Sequence, residues 1–220
     1  MRGDRIPAKV LSIRVIANLE PELRERLRLP AGARSIGLLT CDSDDVGYTA
    51  IDEATKKAEV SVCYATSMYA GASNASTKLA GEFLGILAGA TPAEVESGLR
   101  AARHFVEHEA CFYSANEDDS ILYYAHCISR TGLYLSSVAG IATGAPLAYL
   151  IAPPLESVYG VDQALKAASV RVVDFYGPPS NTNFGGALLT GTQSDCMAAC
   201  SAFEQAVLRI ADVPIDLGEG

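Results

Sequence analysis

The sequence predicts an α/β (α+β) fold built from two tandem copies of one small module. The first observation is a repeat. Asp52-Glu53-Ala54-Thr55-Lys56-Lys57-Ala58-Glu59-Val60-Ser61-Val62 returns half a chain later as Asp162-Gln163-Ala164-Leu165-Lys166-Ala167-Ala168-Ser169-Val170-Arg171-Val172, with Asp, Ala, Lys, Ala and two Val in the same places. The second is that both copies alternate short β-branched runs with helical patterns. The third is size: 220 residues divide into halves of roughly 100, each large enough for its own core.

The elements justify themselves in order. Residues 10–16 are rich in Val and Ile between polar neighbours and predict a strand. Residues 20–27 predict a helix, with Pro21 near its start and Leu23 and Leu27 on one face. Residues 35–40 predict a buried strand, followed by an acidic turn at Asp42-Ser43-Asp44-Asp45 and a helix from Asp52. Residues 60–64 predict a strand, and the small, polar, aperiodic residues 67–78 predict a loop. An apolar strand at 83–89 ends at Gly89, and Thr91-Pro92-Ala93-Glu94 has the hydroxyl, Pro and Glu of a helix start. Val95, Leu99, Ala102 and Phe105 continue that helix on one face.

The second copy repeats this order with strands at 122–128, 146–151, from Val170, and at 187–191. Pro153-Pro154-Leu155-Glu156 replaces the acidic turn, and a loop spans 176–184. The loops after the Val60 and Val170 strands differ in length and composition, which surface or pore loops tolerate and a core does not. The expected domains are 1–109 and 110–220. Two similar but non-identical modules suit a pseudo-symmetric ring, in which three chains close six modules about an axis.

Composition narrows the function. A net charge of -9 argues against nucleic acid, whose phosphates demand a basic face. The apolar runs break well short of the roughly 20 residues of a membrane span. The first residues lack the apolar core of a signal peptide, so a cytoplasmic chain with its six cysteines reduced is expected. No Cys-x-x-Cys pair occurs, and Cys196 and Cys200, four apart on an Ala-rich stretch, read as small core residues. There is no supported catalytic triad, P-loop or dinucleotide fingerprint, so no catalytic residues are assigned and an enzyme is not expected. His104 and His108 have a spacing that can present two metal ligands. No third ligand stands nearby, and they read mainly as a solvated helix face. His126, in a strand, reads as a core or interface residue.

From the residues alone, Asp44 and Asp45 read either as helix capping and solvation or as a cation site. Packing several carboxylates together raises at least one pKa unless a cation is present.

The blocks Asp42-Ser43-Asp44-Asp45-Val46, Asp52-Glu53-Ala54-Thr55-Lys56, Ser67-Met68-Tyr69-Ala70-Gly71-Ala72, Ser129-Arg130-Thr131-Gly132, Ala152-Pro153-Pro154-Leu155-Glu156 and Leu189-Thr190-Gly191 are specific in this order. They resemble the tandem-domain bacterial microcompartment (BMC) shell proteins of the ethanolamine-utilisation L type. The resemblance covers nearly the whole chain, except residues 1–5 and 216–220. It implies two circularly permuted BMC domains per chain. It also implies a flat homotrimer that acts as a pseudohexameric tile, packed with other shell proteins around a cytoplasmic compartment.

It further implies a gated central pore for metabolite or cofactor passage. The gate loops bring Tyr69, Ala70, Gly71, Pro178, Pro179, Asn181, Asn183 and Phe184. A smaller acidic site would bind ethanolamine through Asp44, Asp45, Glu82, Phe112 and Thr182. Carboxylates suit its ammonium, and an aromatic face adds cation–π attraction of about 0.5–2 kcal/mol. No covalent cofactor is implied, although contact with cobalamin, used by the enclosed lyase, is. The alternative is a cytosolic small-amine-binding ring or sensor, which shares the acidic site but needs no self-tiling edges.

Overall fold

The computed structural model describes residues 1–69, 81–178, 180 and 183–217. Among these, the strands are β1 (Arg5–Pro7), β2 (Val10–Ile16), β3 (Ser35–Cys41), β4 (Val60–Tyr69), β5 (Gly81–Gly89), β6 (Cys111–Ser114), β7 (Leu122–Ile128), β8 (Leu147–Ala152), β9 (Arg171–Tyr176) and β10 (Gly185–Thr190). The helices are α1 (Pro21–Arg26), α2 (Asp44–Lys57), α3 (Pro92–His104), α4 (Leu133–Val138), α5 (Pro154–Ala167) and α6 (Gln193–Asp212). One turn of π-helix, Phe105–Glu109, extends α3. The chain forms two compact units, one of Pro7–Ala110 with Thr131–Thr143, the other of Met1–Ile6, Cys111–Arg130 and Gly144–Gly220.

In the first unit, an antiparallel sheet runs in the order β2-β3-β5-β4. Helices α2 and α3 bury Val46, Ala50, Ile51, Val95 and Leu99, the apolar stripe that a helix presents to a sheet. A Cβ at Gly47 would run into the Phe83 ring, so glycine is what lets α2 approach β5 closely there. The predicted start of α3 holds: Glu94 N–H donates to Thr91 Oγ1 (3.3 Å), and Thr91 N–H donates to Glu94 Oε2 (3.1 Å). Helix α4 is tied to α2. Gly132 N–H and Leu135 N–H donate to the two carboxylate oxygens of Asp52 (2.7 and 2.8 Å), and Leu133 N–H donates to Thr55 Oγ1 (2.9 Å).

In the second unit, the sheet order is β1-β6-β7-β8-β10-β9. Its last four strands, β7-β8-β10-β9, repeat the order β2-β3-β5-β4, and α5 matches α2 at 14 residues. The core gathers Leu150, Ala187, Leu189, Phe203 and Val207, and both Cys196 and Cys200 are buried within it as small apolar residues.

Three local readings change. Helix α2 starts at Asp44 rather than near Asp52, so Asp44 and Asp45 are its first turn; Ser43 is extended and the acidic pair complements the helix N-terminus. Helix α5 likewise begins at Pro154. Strand β4 runs on through Ser67, Met68 and Tyr69, which pair with Phe83, Glu82 and Gly81, so residues 67–69 are sheet and not loop. The ladder to β5 outweighs the weak local signal of small polar residues. Strands β1 and β6 carry too few residues for a periodic signal. Gly3 N–H donates to Ser114 O and Ser114 N–H to Asp4 O (2.8 and 3.0 Å), which ties down residues read as an end without signal.

Candidate functional site

Asp44 and Asp45 lie in the first unit and are only 4% and 5% exposed. Asp45 N–H donates to Asp44 Oδ1 (3.0 Å), and Thr49 Oγ1 donates to Asp45 O (2.9 Å). From β4, Ser67 hydrogen-bonds the Asp44 carboxyl. Ser67 Oγ also lies 2.8 Å from Tyr48 OH, one helical turn beyond Asp44. The Tyr48 ring meets Phe83 edge-on at 4.8 Å and stacks on Tyr134 at 6.2 Å. Beside the pair, the Ser43 hydroxyl is buried without a hydrogen-bond partner among the described residues.

Burial pushes the Asp44 carboxyl up to about 6, against the hydrogen bonds from Ser67 and from Asp45, which favour its ionised form. Asp42, half-buried in the turn before α2, is raised by burial and by the charge of Glu82. It is drawn down by the Lys9 amide, which donates to its Oδ1 (2.6 Å), and by the Lys9 charge. Glu82, on β5 beside Phe83, is buried at 8% exposure. The first unit therefore holds Asp42 and Asp44 where burial opposes their charge, with the buried carboxylates Asp45 and Glu82 in the same unit. Such a cluster takes up either protons or a cation.

The remaining predicted residues fall elsewhere. Phe112 is fully buried in the second unit, with Tyr124 at 5.4 Å and Phe184 edge-on at 6.0 Å. Thr182, Ala70, Gly71, Pro179 and Asn181 lie outside the described residues. Tyr69 ends β4, and Pro178 and Asn183 sit between β9 and β10. In that connection Asn183 adopts a φ of 72°, and Ser180 N–H donates to Phe184 O (2.9 Å). Asparagine tolerates this left-handed backbone better than most residues.

His104 and His108 face each other at 4.9 Å on α3 and the turn after it, with His104 Nε2 3.6 Å from Glu109 Oε1. Among the described residues, no group of three or more His, Cys, Asp or Glu is arranged to hold a metal ion. His126 stacks on Tyr124 at 5.5 Å in the second unit. Sequence reasoning missed Ser67 and Tyr48 as neighbours of the acidic pair. The i, i+4 spacing of Asp44 and Tyr48 was a usable signal, whereas Ser67 arrives through sheet pairing, which has none.

Two helix-covered antiparallel sheets sharing one strand order define a protein of the BMC-domain class, and a model of the BMC domain matches residues 35–116. Similarity to known proteins extends over almost the whole chain. The bacterial microcompartment shell protein EutL of Clostridium perfringens (strain 13 / Type A) is 60% identical over 215 residues, covering 98% of this chain and 99% of the relative. EutL of Salmonella typhimurium is 50% identical over 212 residues, covering 96% and 97%. A crystal structure of the ethanolamine utilization protein EutL from Leptotrichia buccalis superposes with a TM-score of 0.94 at 64% identity, covering 98% of this chain and all of that one. The chain belongs to the EutL family of bacterial microcompartment shell proteins. It is a structural component of such a shell, packed with other shell proteins, and not an enzyme.

Proposed function

We propose that the chain is a trimeric, pseudohexameric shell tile with a gated central pore, and that its acidic site binds ethanolamine as the ammonium ion. In this reading residues 1–109 and 110–220 are the two BMC domains. Asp44, Asp45 and Glu82 meet the ammonium, while Phe112 and Thr182 complete the site. Tyr69, Ala70, Gly71, Pro178, Pro179, Asn181, Asn183 and Phe184 form the gate. The observation that carries the ligand is the burial of Asp44 beside Asp45, with a carboxyl raised to about 6. A bound cation relieves that desolvation, and a shell protein named for ethanolamine utilization is 64% identical. The duplicated strand order supports the ring, since three such chains supply six equivalent modules.

Calorimetry with ethanolamine hydrochloride on the wild type and Asp45→Asn tests the site. The variant is expected to bind at least about tenfold more weakly, as loss of a buried charge-assisted contact does. Equal affinity refutes the assignment. Sedimentation tests the assembly: a species of three chains is expected, and a monomer at every concentration refutes the tile.

A further inference from the structure

Tyr48 and Ser67 have no part in the proposal above. Ser67 Oγ lies 2.8 Å from Tyr48 OH and also hydrogen-bonds the Asp44 carboxyl. A serine hydroxyl carries one proton, and an ionised carboxylate only accepts. When Ser67 donates to Asp44, the phenol must therefore donate to Ser67. The three groups become a one-way chain from Tyr48 through Ser67 to Asp44, and linked hydrogen bonds of this kind strengthen one another. The phenol keeps its proton, because burial raises its pKa and the charges of Asp44 and Asp45 add to that.

The chain is braced from behind. The Tyr48 ring is held edge-on by Phe83 (4.8 Å, 74°) and lies nearly parallel to Tyr134 (6.2 Å, 9°). Tyr134 rides on α4, whose N-terminus is bound to Asp52 and Thr55 of α2. Ser67 is placed by the β4–β5 register, directly opposite Phe83. A set of ring and backbone contacts spanning α2, α4, β4 and β5 thus holds the Tyr48 hydroxyl against Ser67, whose own hydroxyl bonds the Asp44 carboxylate.

We infer that the Tyr48–Ser67 hydroxyl pair is a positioning element of the acidic site, holding the Asp44 carboxylate ionised and in one orientation so that an ammonium ion meets a charge already formed. The inference rests on the ammonium reading of that site. The titratable neighbours are Asp45 and Tyr48 on α2 and Cys41 on β3, with Asp42 in the turn acted on by Glu82 from β5 and by Lys9. Against burial and these acidic groups, the hydrogen bonds from Ser67 and from the first turn of α2 favour the ionised form.

The test follows the Asp44 side-chain carboxyl carbon by NMR as pH is varied in the ligand-free protein, in the wild type, Ser67→Ala, Tyr48→Phe and Ser67→Thr. The midpoint is expected to rise by about one pH unit in Ser67→Ala, a tenfold change in proton affinity. It should rise by less in Tyr48→Phe and return to the wild-type value in Ser67→Thr, which restores the hydroxyl. Ethanolamine hydrochloride should then bind Ser67→Ala severalfold more weakly at about pH 6 and as tightly as the wild type at about pH 8. An unmoved midpoint in both Ser67→Ala and Tyr48→Phe, or an equal loss of affinity at both pH values, overturns the inference. If the midpoint moves as expected but the wild type binds no ethanolamine at any pH, the ammonium reading is refuted, while the hydroxyl chain stands as what keeps Asp44 ionised.

Discussion

Asp52 and Asp162 open the two copies of the repeated stretch, and replacing each with alanine should have very different consequences. Asp52 is 0% exposed, and its carboxylate accepts the Gly132 and Leu135 amide hydrogens at 2.7 and 2.8 Å with Lys56 Nζ at 3.8 Å. Hydrogen bonds to a charged group contribute about 1.5–3 kcal/mol each, and a buried amide left without an acceptor costs about 1–3 kcal/mol. These contributions overlap, so Asp52→Ala is expected to destabilise the unit carrying α4 by about 3–5 kcal/mol. Burial raises the Asp52 carboxyl while the two amides and Lys56 oppose that rise. Asp52→Asn sheds the charge but keeps one carbonyl acceptor, and should lose less. Among the described residues Asp162 holds only Gln163 and Lys166 at the surface, the latter at 2.6 Å, and its replacement should leave stability nearly unchanged. Urea unfolding measures the loss, and amide hydrogen exchange at Gly132 and Leu135 shows whether it arises at α4. Equal losses in the two alanine variants, or unchanged exchange at Leu135, would refute the reasoning.

Asp44 should make stability depend on pH. Its folded pKa, raised to about 6, lies above the ordinary carboxylate value of 3.8, so the fold favours the protonated form; this contribution is fully present below 3.8 and is lost as pH rises through about 6. Melting curves from about pH 4 to 8 should show Asp44→Asn removing that part of the slope and melting higher than the wild type at about pH 8, by the order of 2–3 kcal/mol, while a parallel offset at every pH would contradict the assignment. Gly47→Ala drives a methyl into the Phe83 ring and should destabilise by about 1–3 kcal/mol, and an unchanged melting temperature would mean that α2 and β5 do not approach as closely as described.

Much of the fold was legible because it is written locally. Strands β2, β3, β5, β7, β8 and β10 and the Thr91 capping box declare themselves through runs of β-branched or apolar residues and through end signals. Residues 67–69 did not, because serine and methionine carry little strand preference, Tyr69 alone makes no run, and the segment joins the sheet through the ladder to β5. The same holds at the acidic site. Asp44 and Asp45 stood out as adjacent carboxylates and Glu82 through family resemblance, whereas Ser67 reaches Asp44 only through strand pairing. Phe112 illustrates a different limit: its aromatic character was visible, but not that Tyr124 and Phe184 would enclose its ring.

The sequence by itself determined that one module is used twice, since residue order and hydrophobic period are properties of a segment and survive wherever it is placed. Tertiary structure decided what each copy does with the same residues. Asp52 is sealed because the Thr131–Thr143 segment returns to its unit and lays the start of α4 against it, while Asp162 bonds its helix neighbours Lys166 and Gln163 and stays in solvent. Burial and partnership depend on which distant segment comes back to cover a residue, and no local pattern encodes that.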